Sequence, residues 1–97
     1  MSFEQHQKIY VISGVNKCKI GISSAPTSRL NDLKTNCFEE LTLAYASELH
    51  TNARLVERVC HRLLKDKKLK GEWFNISSKE AIELVTKAIN LVNLGDH

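Results

Sequence analysis

Apolar and polar positions change period along the chain, and each change marks an element. Ile9, Tyr10, Val11 and Ile12 are strand formers, Ser13-Gly14-Val15-Asn16 is turn chemistry, and Lys17 to Ile22 resumes an extended pattern. This predicts a hairpin over Ile9 to Ile22. Side chains alternate faces along a strand. Cys18, Ile20 and Ile22 therefore share one face, and Lys17, Lys19 and Gly21 share the other, while Tyr10 pairs with Ile12 on the first strand. With the apolar set turned inward, Lys19 is left on the open face beside Gly21, and the hairpin can bring Tyr10 opposite. Pro26 suits the first position of a helix, where its missing N–H leaves nothing unpaired. Leu30 and Leu33 give that helix an apolar stripe to about Thr35, and Asn36 reads as its stop. Leu41 to Leu49 alternates again and reads as a third strand, with Leu41, Leu43, Tyr45 and Ser47 on one face and Thr42, Ala44, Ala46 and Glu48 on the other.

The period then turns helical. Thr51 or Asn52 caps a main helix that runs to about Asp66. On a wheel of about 100° per residue, Leu55, Val56, Val59, Cys60, Leu63 and Leu64 fill one half. Glu57 and His61, four apart and so stacked, lie just past one border, and Arg58 and Arg62 lie toward the other. A basic run, Lys65 to Lys70, precedes a break at Gly71 and a short extended segment, Glu72-Trp73-Phe74-Asn75. Ser77-Ser78-Lys79-Glu80 has the form of a capping box. Ala81, Leu84, Val85, Ala88, Ile89 and Val92 carry the stripe of a last helix, with Gly95 just beyond it. The expectation is an α+β fold, a small three-stranded antiparallel sheet flanked by three helices. It forms one domain over residues 1–97 with its core from about 8 to 92, and Met1 to Gln7 as a loose lead-in.

Composition narrows the class. Ninety-seven residues support a single modest core, and 42% apolar with 26% charged residues is the balance of a soluble globule. A formal charge of +3 permits contact with nucleic acid without requiring it. No apolar run approaches the roughly 18–20 residues of a membrane span. The opening MSFEQHQKIY carries no apolar signal core, so a cytoplasmic location without membrane contact is expected. Cys18, Cys37 and Cys60 form no C-x-x-C pair, which speaks against a zinc site or a disulfide framework and for reduced thiols.

Between Lys8 and Leu30 the chain gathers a tyrosine, a lysine, a glycine and an arginine, groups that suit chemistry on a phosphate. Each also has a plainer reading. Lys19 and Arg29 read as solvated cations on a hairpin-helix unit. Glu57 and His61 read as an exposed pair worth a few tenths of a kcal/mol to its helix. The run Lys65 to Lys70 reads as a solvated loop, with a phosphate-backbone contact as the alternative. Tyr45 reads as a core tyrosine before a second site hydroxyl, and His50 as a surface residue.

The order Ile9-Tyr10, Lys19-Ile20-Gly21, Arg29 and Glu57 resembles the GIY-YIG nuclease superfamily. It resembles most its phage- and fungus-associated, phage T5-type branch, in which KIG stands in place of YIG. Glu57…His61 and Gly71-Glu72-Trp73-Phe74 are similar to further motifs of that branch, and the resemblance covers Lys8 to about Val85. It implies a metal-dependent endonuclease acting on nucleic acid, DNA rather than RNA, with Tyr10, Lys19, Arg29, Glu57 and His61 as catalytic residues. Glu57 would be the single ligand of Mg2+ (or Mn2+), and Arg29 would hold the scissile phosphate bidentately. Lys17 and Asn75 would touch substrate, Asn75 by a match to an asparagine late in the superfamily. Tyr10 would accept a proton from the attacking water. A free tyrosine, with a pKa near 10, is a poor base at neutral pH, so Lys19, helped by Arg29, is expected to lower that value. The chain departs from the superfamily pattern in carrying Lys8 for the glycine of GIY, Lys19 for the second tyrosine, and Leu33 where many members have a histidine. With no recognition domain in the sequence, a homodimer or an accessory DNA-binding partner is expected. The alternative is a catalytically inactive nucleic-acid- or protein-binding module on the same scaffold.

Overall fold

Strands β1 (Lys8–Gly14) and β2 (Lys17–Ser23) form the predicted hairpin in the computed structural model, which describes residues 6–95. The lead-in read over Met1 to Gln7 falls largely outside the described residues; at its end Gln7 bridges to His50. The hairpin loop is Val15-Asn16, and Asn16 takes the left-handed backbone (φ 57°) that asparagine tolerates. Glu39 braces this loop. Its Oε1 accepts the Val15 N–H at 2.9 Å and its Oε2 meets Lys17 Nζ at 2.9 Å. The Val15 bond first, and Lys17 second, hold its carboxyl below the usual range.

The chain continues through α1 (Pro26–Lys34), β3 (Thr42–Ala46), α2 (Ala53–Leu63), a 3-10 turn (Lys65–Lys67), β4 (Trp73–Phe74) and α3 (Ser78–Gly95). The sheet is antiparallel, in the order β3-β1-β2-β4. Among the described residues it has four strands where three were expected. The extra strand comes from Gly71, whose φ of 67° folds the lysine-rich segment back on itself. Leu69 N–H then donates to the Trp73 carbonyl at 2.8 Å, and the short strand lies against β2 with Phe74 opposite Cys18 and Trp73 opposite Lys19.

Three further expectations are corrected. The alternation read over Leu41 to Leu49 breaks at a bulge: Ile12 opposes Leu43 but Val11 opposes Tyr45, so Ala44 is an extra residue. Leu41 and Leu43 consequently face α1, while Tyr45 packs on the other side of the sheet. On α2 the buried line is Ala53, Val56 and Cys60, continued by Leu64, whereas Leu55 (45% exposed) and Leu63 (57%) face solvent. The helix stops at Leu63, because the chain tightens into the 3-10 turn before Asp66.

The sheet has a core on each face. On one, Ile9, Val11, Cys18, Ile20 and Phe74 meet Val56 and Cys60 of α2 and Val85 and Ala88 of α3. On the other, Tyr10 and Ile12 meet Leu30 of α1 and Leu41, with Leu33, Leu43 and Trp73 around them. The capping box starts α3 as read: Ser77 Oγ accepts the Glu80 N–H at 3.1 Å, and Glu80 Oε1 accepts the Ser77 N–H at 3.3 Å. His50 does more than sit at the surface. Its Nδ1 accepts the Asn52 N–H and its Nε2 meets Asn93 Oδ1, both at 3.0 Å, tying the start of α2 to α3. Cys18, Cys37 and Cys60 are free thiols. Among the described residues no helix is long and apolar enough to cross a membrane.

Candidate active site

Strand β4 covers only part of β2. Its pairing ends at Lys19 and Trp73, so from Ile20 onward β2 has one edge without a strand partner. The candidate site is built around that edge. Gly21 stands opposite Tyr10 in the hairpin ladder, and the phenol ring lies across it. A Cβ at position 21 would fall 2.6 Å from Tyr10 Cζ, well inside contact distance, so only glycine leaves room for the ring. Arg29 comes in from α1 to line the same basin, near enough for its charge to act on the phenol.

The acid arrives from the other side. Helix α2 packs on the opposite sheet face from Tyr10, but Glu57, at the border of its buried line, reaches round the free edge. Tyr10, Arg29 and Glu57 thereby line one open basin of about 480 Å³, joined by Ser23, Arg54 and Glu72. His61 sets the height of α2 on the sheet. Its Nε2 meets the Ile20 carbonyl at 2.8 Å, and because a carbonyl only accepts, that nitrogen carries the proton. Its ring stands edge-on to Phe74 at 5.0 Å. His61 thus fills a ladder position that β4 leaves open, and it does not line the basin.

The remaining expected site residues are placed elsewhere. Lys19 is buried, 7% exposed, with Nζ 3.2 Å from Glu72 Oε1 and 5.8 Å from the centre of the Trp73 ring. A buried ammonium needs such a partner. Lys17 lies over the same ring at 4.6 Å and pairs with Glu39. Asn75 is exposed, and its backbone N–H donates to the Lys67 carbonyl at 2.8 Å. None of these three lines the basin.

Electrostatics overturns the expected tuning of the phenol. Burial holds Tyr10 above the ordinary value of 10.0. Arg29 pulls it down, while Glu72 and Glu57 push it further up. Lys19, paired with Glu72, is not among the leading influences on the phenol. Glu57 is also raised, by burial first and by Glu72, against the attraction of His61, Arg54 and Lys19. Beneath it, burial and then Glu57 push the Cys60 thiol up to about 12, leaving it unreactive. The basin sets two carboxylates, Glu57 and Glu72, against two arginines, Arg29 and Arg54. Among the described residues no group of three or more His, Cys, Asp or Glu side chains could hold a metal. Such an ion would rest on Glu57 with water completing its shell, a normal arrangement for magnesium.

Sequence reasoning missed Arg54 and Glu72. Arg54 precedes Glu57 by three positions and so shares its side of the helix. Glu72 precedes Trp73, and its position beside the β2 edge follows once Trp73 is paired with Lys19. No curated protein and no solved structure matches the chain. A family model described as the T5orf172 domain matches residues 7–89, from the start of β1 through most of α3. The chain belongs to this T5orf172 domain family, which is associated with GIY-YIG-like and phage nuclease proteins.

Proposed function

We propose that the chain is a metal-dependent endonuclease that hydrolyses phosphodiester bonds at this basin, with DNA as its favoured substrate. The observation that carries the reading is the convergence of Tyr10, Arg29 and Glu57, from three different elements, on one open basin at a strand edge. Family membership supports it at the coarser level of a nuclease-associated domain. Arg29 is exposed, so its planar guanidinium can take a phosphate in two parallel hydrogen bonds. Tyr10, held protonated at neutral pH, orients the attacking water or donates to a phosphoryl oxygen. Lys19 holds Glu72 to one side of the basin through their ion pair, and His61 holds α2, and with it Glu57, at the sheet edge. A Mg2+ or Mn2+ ion carried on Glu57 would supply Lewis-acid stabilisation of the leaving oxygen.

Supercoiled plasmid nicking tests this. Wild type should nick with Mg2+ and stop with EDTA. Glu57→Ala should lose at least about 100-fold, the scale of removing one electrostatic stabiliser. Nicking that survives Glu57→Ala removes the assignment. The raised phenol favours a second reading, a non-catalytic nucleic-acid-binding module, because a protonated tyrosine is a poor base. Wild type that binds DNA but leaves it intact in Mg2+ and in Mn2+ selects that reading.

A further inference from the structure

Helix α2 presents Arg54, Arg58 and Arg62 at intervals of four, so they stack on one side of the helix, and all are exposed. That side points away from the buried line of Ala53, Val56 and Cys60. It starts at the basin, which Arg54 lines, and the chain just beyond Leu63 carries Lys65, Lys67, Lys68 and Lys70, also exposed. Seven of the chain's 14 lysines and arginines lie between Arg54 and Lys70, against two of its 11 acids, Glu57 and Asp66. The rest of the chain is therefore net negative, and the excess positive charge is gathered here. Neither described ion pair involves any of these cations.

Helix stability does not account for the stripe. Like charges four apart destabilise a helix by a few tenths of a kcal/mol each. Arg54 sits in the first turn, where a cation opposes the helix dipole, and that turn has no acid. Only Arg62, in the last turn, is where the dipole favours a cation.

We infer that this arginine face, extended by the lysine turn, is the track along which the phosphate backbone of a nucleic acid lies as it enters the basin. The inference rests on the nucleic-acid reading of the basin but not on cleavage. Its test is equilibrium binding of a fluorescein-labelled DNA duplex by anisotropy, in EDTA, across a salt series. The variants are Arg58→Gln/Arg62→Gln and, as a control of equal charge change on other elements, Lys34→Gln/Lys79→Gln.

Each phosphate contact removed should lower the slope of log K against log salt by about 0.9. The arginine pair should therefore lose close to twice that slope, with a clear drop in affinity, and the control pair much less. Equal slopes for the two variants, or no duplex binding by wild type at low salt, overturn the track. Wild type that cleaves plasmid while the arginine pair keeps its slope loses the track but keeps the nuclease. Wild type that binds with the arginine-dependent slope yet never cleaves keeps the track and loses the nuclease.

Discussion

The two faces of the sheet are built to different ends. The face under α2 and α3 is apolar from Ile9 and Val11 across to Phe74 and Val85, with His61 at its margin. The face under α1 is smaller and holds Tyr10 in its packing, with the buried ammonium of Lys19 beside it and Trp73 alongside. One face is all packing, and the other also fixes groups that line the basin. The basin lies where they meet, at the edge of β2, so an acid from the stable side can stand beside a phenol from the polar side.

The largest test of this contrast is on stability. Phe74→Ala, at a fully buried site on the apolar face, should cost about 3–5 kcal/mol by urea unfolding, enough to unfold many small domains. Leu30→Ala, 9% exposed under α1, should cost near the lower end of the roughly 2–5 kcal/mol range for such truncations. Equal losses would erase the distinction between the faces.

Gly21→Ala comes next. The added methyl must displace the Tyr10 ring, so about 1–3 kcal/mol of overpacking is expected, with nicking falling as far as in Tyr10→Phe. Wild-type activity in Gly21→Ala would show that the ring need not lie across the strand.

Glu57→Gln should act in opposite senses on the two properties. Folding raises the Glu57 pKa above its ordinary 4.5, so the folded state binds that proton more tightly than the unfolded one. This stabilisation is complete below the unfolded value and fades as pH rises through the folded one, leaving the ionised carboxylate as an unfavourable charge at neutral pH. Glu57→Gln should therefore raise Tm at pH 7, by less than the roughly 4–8 °C that about 1 kcal/mol gives in a domain of this size, and abolish nicking. At pH 4 the gain should vanish. A lower Tm at pH 7 would contradict the raised value.

Lys19→Met should have the smallest effect. The remaining partner, Glu72, is about half exposed, so Lys19→Met strands no buried charge and should cost little stability. The alkaline limb of the rate profile should move little, because burial and Arg29 act on the phenol ahead of Lys19. A shifted limb would restore the lysine as a tuner of Tyr10.

Local signals were legible and long-range ones were not. The hairpin, the proline-started α1 and the capping box of α3 follow from residues within a few positions of each other, and all three formed close to the expected bounds. The bulge at Ala44 arises from how β3 meets β1, and nothing in the alternation of Leu41 to Leu49 announces it. Strand β4 is two residues long, too short for any period to register, and its pairing was what buried Lys19 beside Glu72. Tyr10, Arg29 and Glu57 were named from motif order. The state of the phenol is not legible in that order, because burial sets it first and Glu72, a second acid from a distant segment, adds to it.

The half-length of β4 carries a further consequence. A bare strand rim is a template for pairing with other chains, the route to aggregates and fibres. Here that rim is ringed by Arg29, Arg54, Glu57 and Glu72, whose hydrated charges would have to be stripped before a foreign strand could zip onto it. The same side chains that make the groove polar thus act as gatekeepers of solubility. Neutralising them together would leave a well-packed protein that is prone to stick to itself.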